Sequence, residues 1–132
     1  MDDKKLCALA VSACKRAYAP YSDCCVGAAL LCASGKVYTG ANIENASFGA
    51  TICAERVAFS AAVHAGERDF VGIAVAATKN GEPAVFPPCG ICRQTMAEFC
   101  KEDFYVLTVT DDGVEKYTLS ELLPFSFTGD KL

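Results

Sequence analysis

The chain has no tryptophan and one histidine among its 132 residues, and its twelve lysines and arginines never form a run long enough to follow a phosphate backbone. Sixteen acidic residues bring the formal charge to -4, so binding to a nucleic-acid polymer is disfavoured. No apolar stretch approaches a membrane span, and Met1-Asp2-Asp3-Lys4-Lys5 lacks the apolar core of a secretory signal, which points to a cytoplasmic protein without membrane partners. Internal repeats, low-complexity tracts and breaks in composition are also missing, so residues 1–132 read as one domain. Hydrophobic residues make up 52% and charged residues 21%, a balance that excludes a disordered or fibrous chain.

Cysteine is what the chain has in excess: nine, an odd number. Cys7, Cys14, Cys24, Cys25, Cys32 and Cys100 follow no disulfide-framework spacing. They fit a reducing compartment, where a cysteine acts as a small apolar core residue.

Hydrophobic periodicity sets the expected architecture. Leu6, Leu9, Ala10, Ala13 and Ala17 recur at helical spacing and stop before Ala19-Pro20. Val26 to Cys32 and Lys36 to Ala41, joined through Ala33-Ser34-Gly35, read as a hairpin whose first strand is buried on both faces. A polar, turn-rich segment from Asn42 to Thr51 leads to a helix from about Cys53 to Ala65, ended by Gly66. Phe70 to Thr78 reads as a strand, Lys79 to Pro88 as a loop with three prolines, and Gly90 to Cys100 as a third helix. Phe104 to Thr110 and Val114 to Thr118 are separated only by Asp111-Asp112-Gly113, too short for a parallel crossover, so they form an antiparallel pair. Thr118-Leu119-Ser120-Glu121 is a capping box opening a short helix that Pro124 stops. The sum is an α/β fold of three layers, α/β/α, around a five-stranded mixed sheet whose last two strands are antiparallel.

The chemistry is concentrated in two short motifs. Pro88-Cys89-Gly90-Ile91-Cys92 places a C-x-x-C where a proline loop enters a helix, and Cys53 stands at the start of the preceding helix. Helix N-termini lower thiol pKa values, and three thiolates select zinc, one per chain. Three protein ligands rather than four leave a position open for water, which marks a catalytic rather than a structural zinc. Glu55, two residues after Cys53, reaches that water as the general base, and Arg56 is the expected donor to the cysteine sulfurs, offsetting the negative charge of three thiolates. His64 lies near the end of its helix, where a cation is ordinary, and is not expected to be a ligand. A structural zinc module would need a fourth ligand that is not evident, and a thiol oxidoreductase would have no use for Glu55.

C-x-E followed by P-C-x-x-C is the pattern of zinc-dependent deaminases. Ala17-Tyr18-Ala19-Pro20-Tyr21-Ser22, Val26-Gly27-Ala28-Ala29-Leu30-Leu31, Gly40-Ala41-Asn42-Ile43-Glu44-Asn45-Ala46, Arg93-Gln94 after the second motif, and Leu122-Leu123-Pro124 with Phe127 extend the match over nearly the whole chain. In these features the chain resembles the homotetrameric cytidine deaminases. The resemblance implies hydrolytic deamination of cytidine and deoxycytidine in pyrimidine salvage, by a zinc-activated hydroxide with Glu55 as proton shuttle. It further implies that Asn42 and Glu44 bind the ribose hydroxyls, that the Ala54 N–H holds the pyrimidine, and that Phe127 reaches a neighbouring subunit's site in a tetramer.

Two positions depart from the family pattern: Cys24 stands where an aromatic usually packs on the base, and Phe48 where many members have tyrosine. Cys24 keeps open a second reading, a related three-cysteine zinc deaminase acting on a modified cytosine nucleoside or a nucleoside antibiotic. Asn42-Ile43-Glu44-Asn45 favours the plain nucleoside. Polynucleotide editors and deoxycytidylate deaminases usually carry histidine at the position of Cys53.

Overall fold

Alternation along two neighbouring strands decides the layering. The computed structural model describes residues 1–132, and its elements run α1 (Asp3–Cys14), β1 (Cys24–Cys32), β2 (Val37–Ala41), α2 (Ala54–His64), β3 (Phe70–Lys79), β4 (Glu82–Ala84), α3 (Gly90–Phe99), β5 (Tyr105–Thr110), β6 (Gly113–Thr118) and α4 (Leu119–Leu122). In β1, Ala29 and Leu31 face α1 and pack with Leu6, Ala10 and Ala74. Ala28 and Leu30 face the other way, into a second core with Ala58, Phe59, Ile73 and Met96 from β3 and the α2 and α3 layer. Successive side chains of a strand point to opposite faces, so a strand apolar at both parities is covered on both sides. The three-layer expectation is met.

The sheet order is β2-β1-β3-β5-β6, with β3 and β5 parallel; the β5–β6 hairpin is antiparallel, as expected. One correction concerns strand number. The sheet has six strands, because β4 pairs antiparallel with β3 inside the segment read as a proline loop. Asn80 and Gly81 both adopt positive φ, 51° and 81°, and form a two-residue turn between Lys79 and Glu82. Such a turn matches the twist of paired strands, and a three-residue edge strand tolerates Pro83.

Boundaries move by a few residues. α1 ends at Cys14 rather than near Ala17, and Cys53 is the N-cap of α2 rather than its first helical residue; α3 begins at Gly90 as expected, with Cys89 its N-cap. The capping box at Thr118 and Glu121 forms as read. Gly40 on β2 brings the site into place: a Cβ there would lie 2.6 Å from both the Ala54 carbonyl oxygen and the Ala58 nitrogen. Only a residue without a side chain lets the first turn of α2 sit this close to the sheet.

Candidate active site

Two helices begin at one point. Cys53 and Cys89, the N-caps of α2 and α3, make no side-chain capping bond, so their sulfurs are free to turn inward. Cys92, in the first turn of α3, is fully buried beneath them. The three sulfurs lie within 4.8 Å of one another, and Cys53 Sγ and Cys89 Sγ are 3.8 Å apart. The cluster comprises these three sulfurs alone, with no carboxylate or imidazole among its ligand atoms.

The electrostatics favour thiolate at Cys53. A hydrogen bond with Cys92 and the nearby Arg56 guanidinium bring the Cys53 thiol down to about 5, while Cys92, sharing that bond in a buried position, holds its proton more tightly than usual. A cation replaces that shared proton, since metal binding requires the ligands deprotonated. Arg56 stands where the sequence placed it: its Nη2 donates to Cys53 Sγ at 3.5 Å, and its Nε is buried without a partner. Three sulfurs converging at two positive helix ends, with a guanidinium behind them, fit one zinc ion with a corner left for water.

Glu55 is 4% exposed, and burial holds its carboxyl above the usual carboxylate range, with the Cys53 charge acting in the same direction. With Val26, Cys53, Ala54, Phe86, Pro87 and Cys89 it lines a cavity of about 140 Å³. A larger cavity of about 570 Å³ lies on the α1 side of the sheet, among Val11, Cys14, Cys25 and Val85, and shares none of these residues. Of the two, the smaller one joins a buried carboxyl to the sulfur cluster, through Glu55, Cys53 and Cys89.

Beside this cavity, the residues expected to touch substrate are engaged in local structure. Asn42 accepts from Val26 N–H through Oδ1 at 2.8 Å and donates from Nδ2 to the Cys24 carbonyl at 2.7 Å. Glu44 Oε1 accepts from the Tyr21 and Ser22 N–H groups, and its Oε2 accepts from the Ser22 hydroxyl, which keeps the Glu44 pKa low. Cys24 opens β1 on the same face as Val26 and is half-buried. Phe127 is 58% exposed and stands outside the cavity lining, its carbonyl held by Gln94. His64 is in the last turn of α2 and takes no part in the cluster. The sequence reading missed Val26, Phe86 and Pro87 as cavity walls and Ser22 as the partner of Glu44. None of these carries a chemical signature; adjacency to Pro88-Cys89 is the only hint for Phe86 and Pro87.

The zinc-binding region of cytidine and deoxycytidylate deaminases matches residues 1–108. A cytidine deaminase of Halalkalibacterium halodurans is 49% identical over 133 aligned positions, covering 100% of this chain and 98% of that protein. A blasticidin-S deaminase of Bacillus cereus is 31% identical over 108 positions, covering 78% of this chain and 76% of its own. The crystal structure of a cytidine deaminase from Burkholderia pseudomallei superposes with a TM-score of 0.88 at 41% identity, over 96% of this chain and 100% of that one. With its sulfur triad, its buried Glu55 and a matched region that contains both motifs, the chain belongs to the cytidine and deoxycytidylate deaminase zinc-binding family.

Proposed function

We propose that this chain, as a single catalytic domain over residues 1–132, hydrolyses the amino group of free cytidine and deoxycytidine, giving uridine or deoxyuridine and ammonia, as a step of pyrimidine salvage. One observation carries the reading: a carboxyl buried to 4% exposure sits two residues from Cys53, in the cavity that Cys53 and Cys89 line. Zinc, when bound, supplies the Lewis acidity that makes water a nucleophile at neutral pH. Glu55 takes one proton from the attacking water and gives it to the ring nitrogen, then takes the second from the hydroxyl added at C4 and gives it to the departing amine, so that C4 becomes a carbonyl as ammonia leaves. A carboxyl held above the usual carboxylate range by burial suits both taking up and giving back a proton.

The other residues orient the substrate. The Ala54 N–H belongs to the first turn of α2, where backbone donors have no helical partner, and holds the pyrimidine. Asn42 and Glu44 hold the ribose: Asn42 keeps one Nδ2 hydrogen beyond its bond to Cys24, and the Glu44 carboxylate keeps lone pairs beyond its bonds from the 21–22 loop. Arg56 draws charge from Cys53.

The active form in this reading is a homotetramer with shared sites, in which Phe127 of one copy closes the site of another. The cavity of about 140 Å³ supports this, being smaller than the ~300–1,000 Å³ of small-molecule pockets. Phe48, Ile91 and Phe127 are exposed, apolar surface that a neighbour would cover. Nine unpaired cysteines support the cytoplasm as its compartment.

Glu55→Gln tests the chemistry. Ultraviolet assays of cytidine, deoxycytidine and cytidylate should show a kcat lower by roughly 10²–10⁴-fold with one zinc retained; undiminished turnover refutes the assignment. The similarity to a blasticidin-S deaminase and the thiol at Cys24 keep a nucleoside antibiotic as second reading. Faster turnover of such a compound than of cytidine would establish it.

A further inference from the structure

Arg93 and Gln94 follow the second zinc motif directly, and the chemistry above uses neither. Arg93 is half-buried in the first turn of α3, one residue after Cys92. Its Nε donates to the Pro88 carbonyl at 2.8 Å and its Nη1 to the Leu122 carbonyl at 2.7 Å. The first acceptor belongs to the residue immediately before the ligand Cys89. The second closes α4, whose last carbonyls have no helical partner. Next to it, Gln94 Nε2 donates to the Phe127 carbonyl at 2.8 Å.

The turn carrying Cys89 has little else to hold it. Pro87 and Pro88 have no N–H to donate, and no backbone hydrogen bond is made by residues 85–88. The Cys89 carbonyl accepts the Arg93 N–H at 3.0 Å, and the peptide before it, joining Pro88 to Cys89, is anchored by the bond from Arg93 Nε on its carbonyl. Both come from Arg93. Rotating this peptide displaces Cys89 Sγ relative to Cys53 and Cys92 and shifts Pro87 in the cavity wall.

We infer that Arg93 is a positioning residue that fixes the Cys89 turn for metal and, through the same guanidinium, couples that turn to the C-terminal segment from Leu122 to Phe127. The inference rests on the zinc deaminase reading. A planar fork bonding two carbonyls in two segments is not reproduced by a lysine, which reaches one acceptor at a time. Gln94 serves the segment alone.

The test compares wild type, Arg93→Ala, Arg93→Lys and Gln94→Ala, each loaded with zinc and, separately, with cobalt(II). Partners standing behind metal ligands are typically worth roughly 10–100-fold in metal affinity, so Arg93→Ala should weaken zinc binding by that factor in a chelator competition and shift the cobalt–thiolate absorption. Arg93→Lys should recover part of both. Gln94→Ala should leave both unchanged while proteolysis near Phe127 accelerates. Wild-type zinc affinity and cobalt spectrum in the Arg93 variants would overturn the inference, leaving Arg93 a clip for α4. Should Arg93→Ala not fold, the lysine variant decides by the same readouts. A wild-type protein that binds no zinc would overturn the deaminase reading instead.

Discussion

Replacing Asn42 by alanine should lower stability and substrate affinity together, because the side chain completes the β1–β2 ladder where β2 turns away. The paired register of β1 and β2 ends at Gly27 and Ala41. Beyond it, the Asn42 N–H bonds the Val26 carbonyl, and the side chain supplies what the backbone no longer can, accepting from Val26 N–H and donating to the Cys24 carbonyl. Two such bonds at about 0.5–1.5 kcal/mol each give about 2 kcal/mol in all. The start of β1 is only half-buried, so water takes up part of the lost bonding and keeps the cost near this value. In a chain of this size that lowers Tm by roughly 6–10 °C. Losing one bond to a ribose hydroxyl should also raise KM roughly three- to tenfold. Asn42→Asp keeps the bond from Val26 N–H but sets a carboxylate against the Cys24 carbonyl, so its stability loss persists. Calorimetry at fixed protein concentration, beside steady-state kinetics on cytidine, measures both effects. An Asn42→Ala protein as stable as wild type to within about 0.5 kcal/mol, with only KM raised, would refute the structural half of the argument.

Arg56→Ala should speed zinc loss to a chelator and lower kcat, since it removes the donor on Cys53 Sγ and leaves the charge of three thiolates uncompensated; wild-type values for both would dismiss the role. Gly40→Ala drives a methyl into the Ala54 carbonyl and the Ala58 nitrogen, both backbone, so α2 must retreat from the sheet. A loss of about 1–3 kcal/mol in denaturant unfolding should accompany a reduced kcat as Glu55 shifts. Cys24→Phe should lower KM for cytidine several-fold, from about 0.5–1.5 kcal/mol of ring contact. It should also leave the ranking of cytidine against ring-substituted cytidines unchanged; a reordered ranking would show that Cys24 selects the base.

Much of the fold was legible because its signals are local. Apolar parity along β1 announced two covered faces, and Thr118 with Glu121 announced α4. The strand that was missed also had a local signal, Asn80-Gly81 between Lys79 and Glu82, which is among the strongest hairpin signatures in sequence. Three prolines nearby mask it, although a short edge strand accepts proline. The α1 boundary erred for a different reason: Ala17 continues the helical spacing, but the chain leaves the helix after Cys14 so that Tyr18 can bridge to Ile43. That is a tertiary contact, invisible to periodicity.

The same division runs through the site. Its metal half is written in the chain because two helix N-termini dictate where Cys53, Cys89, Cys92 and Glu55 point, and helix geometry repeats in every protein. The half proposed to hold the sugar is not, since Asn42 and Glu44 spend most of their bonding capacity on backbone groups of the 21–26 segment, and only the fold shows which groups those are. Placing them there costs the substrate little, as each retains capacity for a hydroxyl. In the proposed site it also ties the loop and the start of β1 to the sugar-binding groups, so changes at Ser22 or Cys24 should act on the ribose through Glu44 and Asn42. Arg93 extends this principle to the metal: a side chain that binds nothing reactive holds the peptide on which a ligand turns.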